Sequence, residues 1–271
     1  MTIVDKDGTS PLLRVSGVGW RVGGVSLLKN IGFCLKNGES VALLGPNGAG
    51  KSSLIRLLAG DWEVSSGGID IHGRPLEAWS RRELAQVRAV MPQLQTVSFP
   101  LRVEEVVALG LPGSLKGNAR HPQVEQMLRL LEVDHLRSRR FPTLSGGEQQ
   151  RVQMARVLAQ IWDAPKPPLL LLDECTSALD PAHQHRILQL IRDITRRGVG
   201  ALWVVHDLNL AARYADRILL MQHGQLLVDD APDRVLTPDW LAQVYGLRAE
   251  VIDHGGLVVV EQGCLEERSV G

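Results

Sequence analysis

The stretch GPNGAGKSS, residues 45–53, constrains this chain more than any other. It has the form G-x-x-x-x-G-K-[ST]. An apolar strand pattern, SVALLG, runs into it, and a helical pattern, SLIRLLAG, runs out of it and closes at Gly60. Strand, glycine loop and helix in that order are the context in which this pattern cradles phosphates. Glycines let the backbone wrap closely around an anion, successive N–H groups form a nest, and the helix N-terminus adds its dipole. The predicted contacts are Gly45, Pro46, Asn47, Gly48, Ala49, Gly50, Lys51, Ser52 and Ser53. Lys51 is expected to reach β- and γ-phosphates, and the Ser52 hydroxyl oxygen to face Mg²⁺. A glycine-rich turn carrying Lys-Ser by chance would not need both flanks.

Size and composition permit an α/β fold of this kind. The chain has 271 residues, 44% of them hydrophobic, with 27 Gly and 14 Pro, which suits one large α/β domain or one with a subdomain. Formal net charge is +0, from 30 Lys+Arg against 30 Asp+Glu, so nothing argues for a nucleic-acid surface. Cys34, Cys175 and Cys264 are far apart and odd in number, so a reducing cytosol and no disulfide framework are expected. The N-terminal MTIVDKDGTSPLL lacks the basic start and apolar run of a signal peptide. No apolar run reaches the ~18 residues of a membrane span. Any work at a membrane is expected to be peripheral.

Short β-rich segments, LLRVSGVGW and VSLLKNIGFCL, precede the cradle, and GIDIHG and AVMPQ follow it. From about 94 to 142 the texture turns helical: RVEEVVALG and HPQVEQMLRLLEV lie between Pro and Gly breaks, and read as an inserted subdomain. PPLLLLDE is a continuous apolar strand, of the kind covered on both faces in a parallel sheet. AHQHRILQLIRDIT reads as a helix, ALWVVHD as a strand, DRILLMQHGQLLV as a hairpin and DRVLTPDWLAQVYG as a closing helical region. GLVVVEQGCLEERSVG has no clear assignment.

Asp173 lies at the carboxyl end of PPLLLLDE, where open α/β sheets bind ligands, and is expected to hold Mg²⁺ through water. Glu174 points elsewhere and is the candidate general base for an attacking water. The plainer reading, an ordinary acidic strand end, loses weight beside the cradle. His206, ending ALWVVHD, could contact the γ-phosphate and order that water, or be a surface loop histidine. Gln93 follows a short strand at the entry to the helical insert. It could ligate Mg²⁺ and report on the nucleotide.

LSGGEQQRV, residues 144–152, joins a strong helix start to a poor first turn. Ser145 and Glu148 form a capping box ahead of QMARVLAQIW. Yet Gly146 and Gly147 each cost a helix roughly 1 kcal/mol relative to alanine. Bare backbone and a helix dipole suit the close approach of an anion. No second loop of the form G-x-x-x-x-G-K-[ST] appears in the sequence, so the economical reading is that this helix meets the nucleotide of another copy. Two chains head to tail would then enclose two ATP molecules, and hydrolysis would release the pair.

LSGGEQQR resembles the signature of ATP-binding cassette ATPases. With GPNGAGKSS, LLLLDE, SALD, Gln93 and His206 in order, the resemblance covers residues 12–246. It implies a P-loop NTPase nucleotide-binding domain over that range: a RecA-like core, an antiparallel β subdomain and a helical subdomain inserted at about 94–150. Residues 247–271 are left as a tail of unknown role. The resemblance implies that Trp20 stacks on adenine, a core tryptophan being the plainer reading. It makes Gln93 the link between core and helical subdomain. It assigns Ser145, Gly146, Gly147 and Glu148 to the partner's nucleotide, Ser177 to Asp180 to communication across the dimer, and His206 to a switch beside Glu174. It further implies ATP and Mg²⁺ as cofactors and a homodimer. The other implied partners are two copies of a transmembrane permease and, indirectly, a periplasmic binding protein, at the cytoplasmic side of the inner membrane. The chain departs from the family at Cys175, where proline is usual. Cysteine loosens the turn that proline would fix, and with no basic neighbour its expected role is an inert small residue rather than a redox sensor.

Finer stretches, SFPLRVEEVVALG, MARVLAQIW and SALDPAHQH among them, resemble the ATPase subunits of bacterial haem importers. They resemble those for ferric siderophores and cobalamin less closely, although GRPLEAWS is near the cobalamin type. His183 and His185 in PAHQH are not expected to ligate haem, because two residues apart on a helix they point to nearly opposite sides. A cassette ATPase of DNA repair or translation would carry coiled-coil insertions, paired cassettes or basic arms. A non-hydrolysing scaffold would lack Glu174 or His206.

Overall fold

The computed structural model describes residues 10–93, 100–253 and 256–264. Strands β1 (Leu13–Val22) and β2 (Val25–Leu35) form a hairpin, and β3 (Ser40–Leu44) runs into the glycine loop and helix α1 (Lys51–Leu58). β4 (Ser66–Ile71) and the short β5 (Arg74–Pro75) return beside β1, giving an antiparallel sheet of order β2-β1-β4-β5. Helix α2 (Arg81–Val87) opens on a Ser80–Glu83 capping box and leads into β6 (Arg88–Met91). Helices α3 (Val103–Ala108), α4 (Pro122–Leu130) and α5 (Gly146–Ile161) then precede β7 (Leu169–Asp173). The remainder alternates: α6 (Pro181–Thr195), β8 (Gly200–Val204), α7 (Leu208–Tyr214), the hairpin β9 (Arg217–Gln222) and β10 (Gln225–Asp230), then α8 (Pro232–Val235) and α9 (Pro238–Tyr245).

The second sheet has the order β10-β9-β3-β8-β7-β6, parallel throughout except for the β9–β10 edge. Its apolar strands are buried on both faces, and the side chains alternate as the period of a strand requires. Val41, Leu43, Leu169, Leu171 and Leu202 join one core with α1 and the antiparallel sheet. Ala42, Leu44, Leu170, Leu172 and Trp203 join a second core with α3 to α6. Each fully buried leucine contributes roughly 1.5–3 kcal/mol, so the strand ends are held on both sides. All five strand residues of β7, Asp173 included, are buried. The sheet therefore presents β3 and β7 as rigid rods whose carboxyl ends carry the cradle and the two acidic residues.

Helices α3 and α4 pack with α5 in the second core. The expected start of the helical insert at Leu94 lies outside the described residues. The C-terminal stretch without a sequence assignment contains a strand: β11 (Leu247–Asp253) and β12 (Leu257–Cys264) form an antiparallel hairpin. It is pinned to α7 by Asn209. The Val259 N–H donates to Asn209 Oδ1 at 2.7 Å, and Asn209 Nδ2 donates to the Val259 carbonyl at 3.2 Å. The last part of the expected tail, 265–271, lies outside the described residues. Among the described residues no helix is long and apolar enough to cross a membrane.

Candidate active site

At the end of β3 the chain reaches Gly45, with a φ of 147°. A Cβ there would lie 2.2 Å from the Met221 carbonyl oxygen, so β9 excludes any side chain. Pro46 to Gly50 turn outward and Gly50 caps α1. Lys51 is buried, and its Nζ donates to the carbonyls of Gly45 at 2.6 Å and Pro46 at 3.0 Å. Burial lowers the pKa of this ammonium, while Glu174 and Asp173 oppose the shift. A cavity of about 320 Å³ opens here, lined by Leu27, residues 47–53, Gln93 and Glu174. Sequence reasoning missed one support. Tyr245, the last residue of α9, is hydrogen-bonded to the Gly45 backbone, and burial raises its phenol to about 12. Nothing in the spacing from 45 to 245 announces that contact.

Asp173 ends β7 only 4% exposed. Ser52 supports its carboxylate by a side-chain hydrogen bond, but Oδ1 is buried without a partner among the described residues. Burial pushes its pKa up. A buried carboxylate oxygen with an unused lone pair, beside a serine hydroxyl, suits a hard cation. Gln93 lines cavities shared with each of them, and the set is all oxygen donors, so these residues fit Mg²⁺. No group of three or more His, Cys, Asp or Glu able to hold a metal exists among the described residues. A cation here would rest on few protein ligands plus substrate oxygens, as Mg²⁺ commonly does.

Glu174 turns away from Asp173 through a left-handed backbone, with φ of 56°. His206 Nε2 lies 2.8 Å from Glu174 Oε1. An ionised carboxylate only accepts, so the ring N–H donates. His206 lies just beyond the end of β8 and is exposed. Cys175 is fully buried, and burial raises its thiol to about 12. A thiol so far from ionisation is inert at neutral pH, as its lack of basic neighbours suggests.

The first turn of α5 carries the expected capping box. Ser145 N–H donates to Glu148 Oε2 at 2.7 Å, and Glu148 N–H to Ser145 Oγ at 3.3 Å. The two glycines differ. A Cβ on Gly147 would lie 3.1 Å from the Ala178 carbonyl oxygen, so this bare position already serves a contact inside the chain. Gly146 is exposed, and a Cβ there would meet only Ala178 Cβ at 3.7 Å. Residues of α5 do not line the cradle cavity. Gly146 instead borders a neighbouring cavity of about 260 Å³ with Gln93, Gln150, Asp173 and Ser177. Asp180 caps α6, accepting the His183 N–H at 2.9 Å, and that bond holds its carboxyl below the ordinary range.

Trp20 is half-buried and stacked on Trp62, with ring centroids 4.3 Å apart and planes 10° from parallel. Arg56 covers the Trp62 ring at 4.8 Å. Trp20 does not line the cradle cavity. One ring face is thus spent within the chain. His183 and His185 take different partners, Asp180 and Tyr214, each at 2.8 Å. They nevertheless border the same groove, so the expectation of nearly opposite directions overstates their separation.

The family model of ABC transporters matches residues 28–177, from β2 through the cradle to the loop after Glu174. The chain belongs to the ABC transporter family. Among curated relatives of this ABC chain, the hemin import ATP-binding protein HmuV of Gloeobacter violaceus is 47% identical over 90% of each chain. The protein of that name from Shewanella denitrificans is 46% identical over 89% of this chain and 96% of its own. Among solved structures, a chain of a transporter described as metal-chelate type ABC, in an inward-facing conformation, superposes with a TM-score of 0.76. It is 25% identical and covers 95% of this chain and 99% of that one. The ABC fold thus extends well beyond the family match, over the strand that precedes His206.

Proposed function

We propose that this chain is the ATP-hydrolysing subunit of a bacterial haem importer. The observation that carries the chemistry is the Glu174–His206 pair beside a buried, incompletely satisfied Asp173 at the mouth of the glycine cradle. The reaction is ATP and water to ADP, phosphate and a proton. Residues 45–53 hold the phosphates through backbone N–H groups, with Lys51 at the β- and γ-oxygens. Ser52, Gln93 and Asp173 would hold Mg²⁺, which neutralises charge on the phosphate oxygens when bound. Glu174 takes a proton from water as the water oxygen bonds to the γ-phosphorus. The bond from that phosphorus to the bridging oxygen breaks, and ADP leaves with the electron pair. His206 orients the Glu174 carboxylate through its N–H. Trp20 offers its remaining ring face to the base.

Ser145, Gly146, Gly147 and Glu148 belong to the partner's nucleotide in a head-to-tail homodimer, with Asp180 near the contact. The absence of α5 from the lining of the chain's own cradle supports this. We assign the insert around residues 93–140 and its surroundings to the permease. A groove of about 690 Å³ between α2, the end of α3 and α5 carries Arg81, Arg82, Lys116 and Arg156 and no carboxylate. That charge suits an acidic or helix C-terminal segment of a membrane partner. The chain then sits at the cytoplasmic side of the inner membrane, and a periplasmic binding protein acts from the far side.

Relatives at 42–47% identity over about nine-tenths of the chain, all named for hemin import, support haem as cargo. The test is a complex reconstituted with the permease and binding protein encoded beside this chain. Haem-loaded binding protein is expected to stimulate ATP turnover. Stimulation by cobalamin or a ferric siderophore, and not by haem, would reassign the cargo and leave the ATP chemistry standing.

A further inference from the structure

Glu174 carries a side chain in the left-handed region, a conformation that persists only where the surroundings impose it. Three donors converge on its carbonyl oxygen: Ser177 N–H at 3.3 Å, Ser177 Oγ at 3.1 Å and Gln150 Nε2 at 2.9 Å. The two from Ser177 are local to the turn. The third comes from α5. The same Gln150 amide accepts the Ala178 N–H on its Oε1 at 3.1 Å. One side chain thus grips both ends of the turn 174–178. The grip is anchored one turn along from Gly146 and Gly147, and Gly147 itself packs on the Ala178 carbonyl.

We propose that Gln150 is a positioning residue that fixes the backbone of Glu174. Through it, an anion seated on the α5 N-terminus is coupled to the aim of the base. The inference rests on Glu174 being the general base and on α5 meeting the partner's nucleotide. An amide is suited to the task because it donates at one end and accepts at the other. A shift of α5 along its axis pulls the Glu174 carbonyl and the Ala178 N–H together. Glu174 φ responds, and the carboxylate beside His206 moves with it.

The test is a double-mutant cycle on the full-length chain, read as single-turnover ATP hydrolysis. Gln150→Leu removes both bonds. Gln150→Glu is nearly isosteric, keeps an acceptor for Ala178 N–H and loses the donor to Glu174. Both are expected to slow hydrolysis about 10–10²-fold, the scale of a misplaced reacting group. Affinity of the monomer for ATP should stay unchanged. In a Glu174→Gln background, Gln150→Leu should cost nothing further, because the base it positions is gone. Wild-type turnover in Gln150→Glu would overturn the proposal. So would an equal slowing by Gln150→Leu in both backgrounds, which would mark Gln150 as acting independently of the base. Near-normal hydrolysis by Glu174→Gln alone would remove the base assignment and this inference together. Inactive Glu174→Gln with multiplying effects would remove only the inference. If Gln150→Leu folds poorly, the Gln150→Glu arm decides the matter.

Discussion

Asp173 is held where burial disfavours its charge, and among the described residues its buried Oδ1 has no hydrogen-bond partner. A carboxyl whose folded pKa is raised favours the folded state in its protonated form. Its contribution is present at low pH and is lost as pH rises through the folded pKa. Asp173→Asn should therefore melt at a higher temperature than wild type at pH 7 without nucleotide. The gap should close as pH falls toward the ordinary carboxylate range. With Mg²⁺ and ATP the order should invert, since only the carboxylate repays its burial by binding the cation. Thermal melts across pH, with and without Mg²⁺ and ATP, check both halves; a variant that is less stable than wild type at pH 7 without ligand would contradict the first. At this scale the sequence was informative where a motif names a residue: Lys51, Ser52, Asp173 and Glu174 converge as their spacing suggests. It was silent on Gln150 and Tyr245, whose partners lie far away along the chain. A contact between residues 45 and 245 leaves no local pattern. Trp20 shows the same limit, because its stacking partner Trp62 belongs to the loop before another strand.

The elements were more legible than their supports. Continuous apolar runs announce β3, β7 and β8, because strands buried on both faces need no alternation. Short α2 and α7 escaped because only a few apolar residues define a face; their caps, Ser80 and Asp207, were the available signal. The terminal hairpin escaped because most of β12 is exposed and LVVVEQGC shows no clean period. Helix α5 shows how an element can carry two demands at once. Gly147 answers to Ala178 inside the chain, whereas Gly146 faces outward. Substitutions at the two should part company. Gly146→Asp puts a negative charge at the helix N-terminus, which favours the helix itself but repels an incoming phosphate. ATP binding by the monomer should stay near normal while hydrolysis falls by about 10²-fold or more, the scale of losing an oriented anion site. Gly147→Val should push on the Ala178 carbonyl and disturb the turn behind Glu174, slowing hydrolysis with a lower melting temperature. Equilibrium nucleotide binding, melting and turnover separate the two. Loss of ATP affinity in monomeric Gly146→Asp would contradict the in-trans assignment.

At the scale of the whole molecule, the proposed head-to-tail dimer would take each site's cradle from one chain and its α5 N-terminus from the other. A twofold dimer built this way holds two equivalent composite sites. That symmetry makes a prediction no single chain could make. Lys51→Ala destroys a cradle and leaves its α5 intact, and Gly146→Asp does the reverse. Each homodimer of a variant has two broken sites and should be inactive. Mixed, they form heterodimers in which the cradle of the Gly146→Asp chain faces the intact α5 of the Lys51→Ala chain. The other site of that pair is broken twice. With random pairing half the dimers are mixed and half of their sites are whole, so single-turnover hydrolysis should return to about a quarter of the wild-type amplitude. Measured against the ratio of the two variants, the amplitude should peak at equal amounts and vanish at either end. A mixture as inactive as its parents, under conditions where the wild-type chain forms dimers with ATP, would mean that each chain completes its own site. In that case Gly146 would have to act on the cradle of its own chain, across the cavity it shares with Gln93 and Asp173.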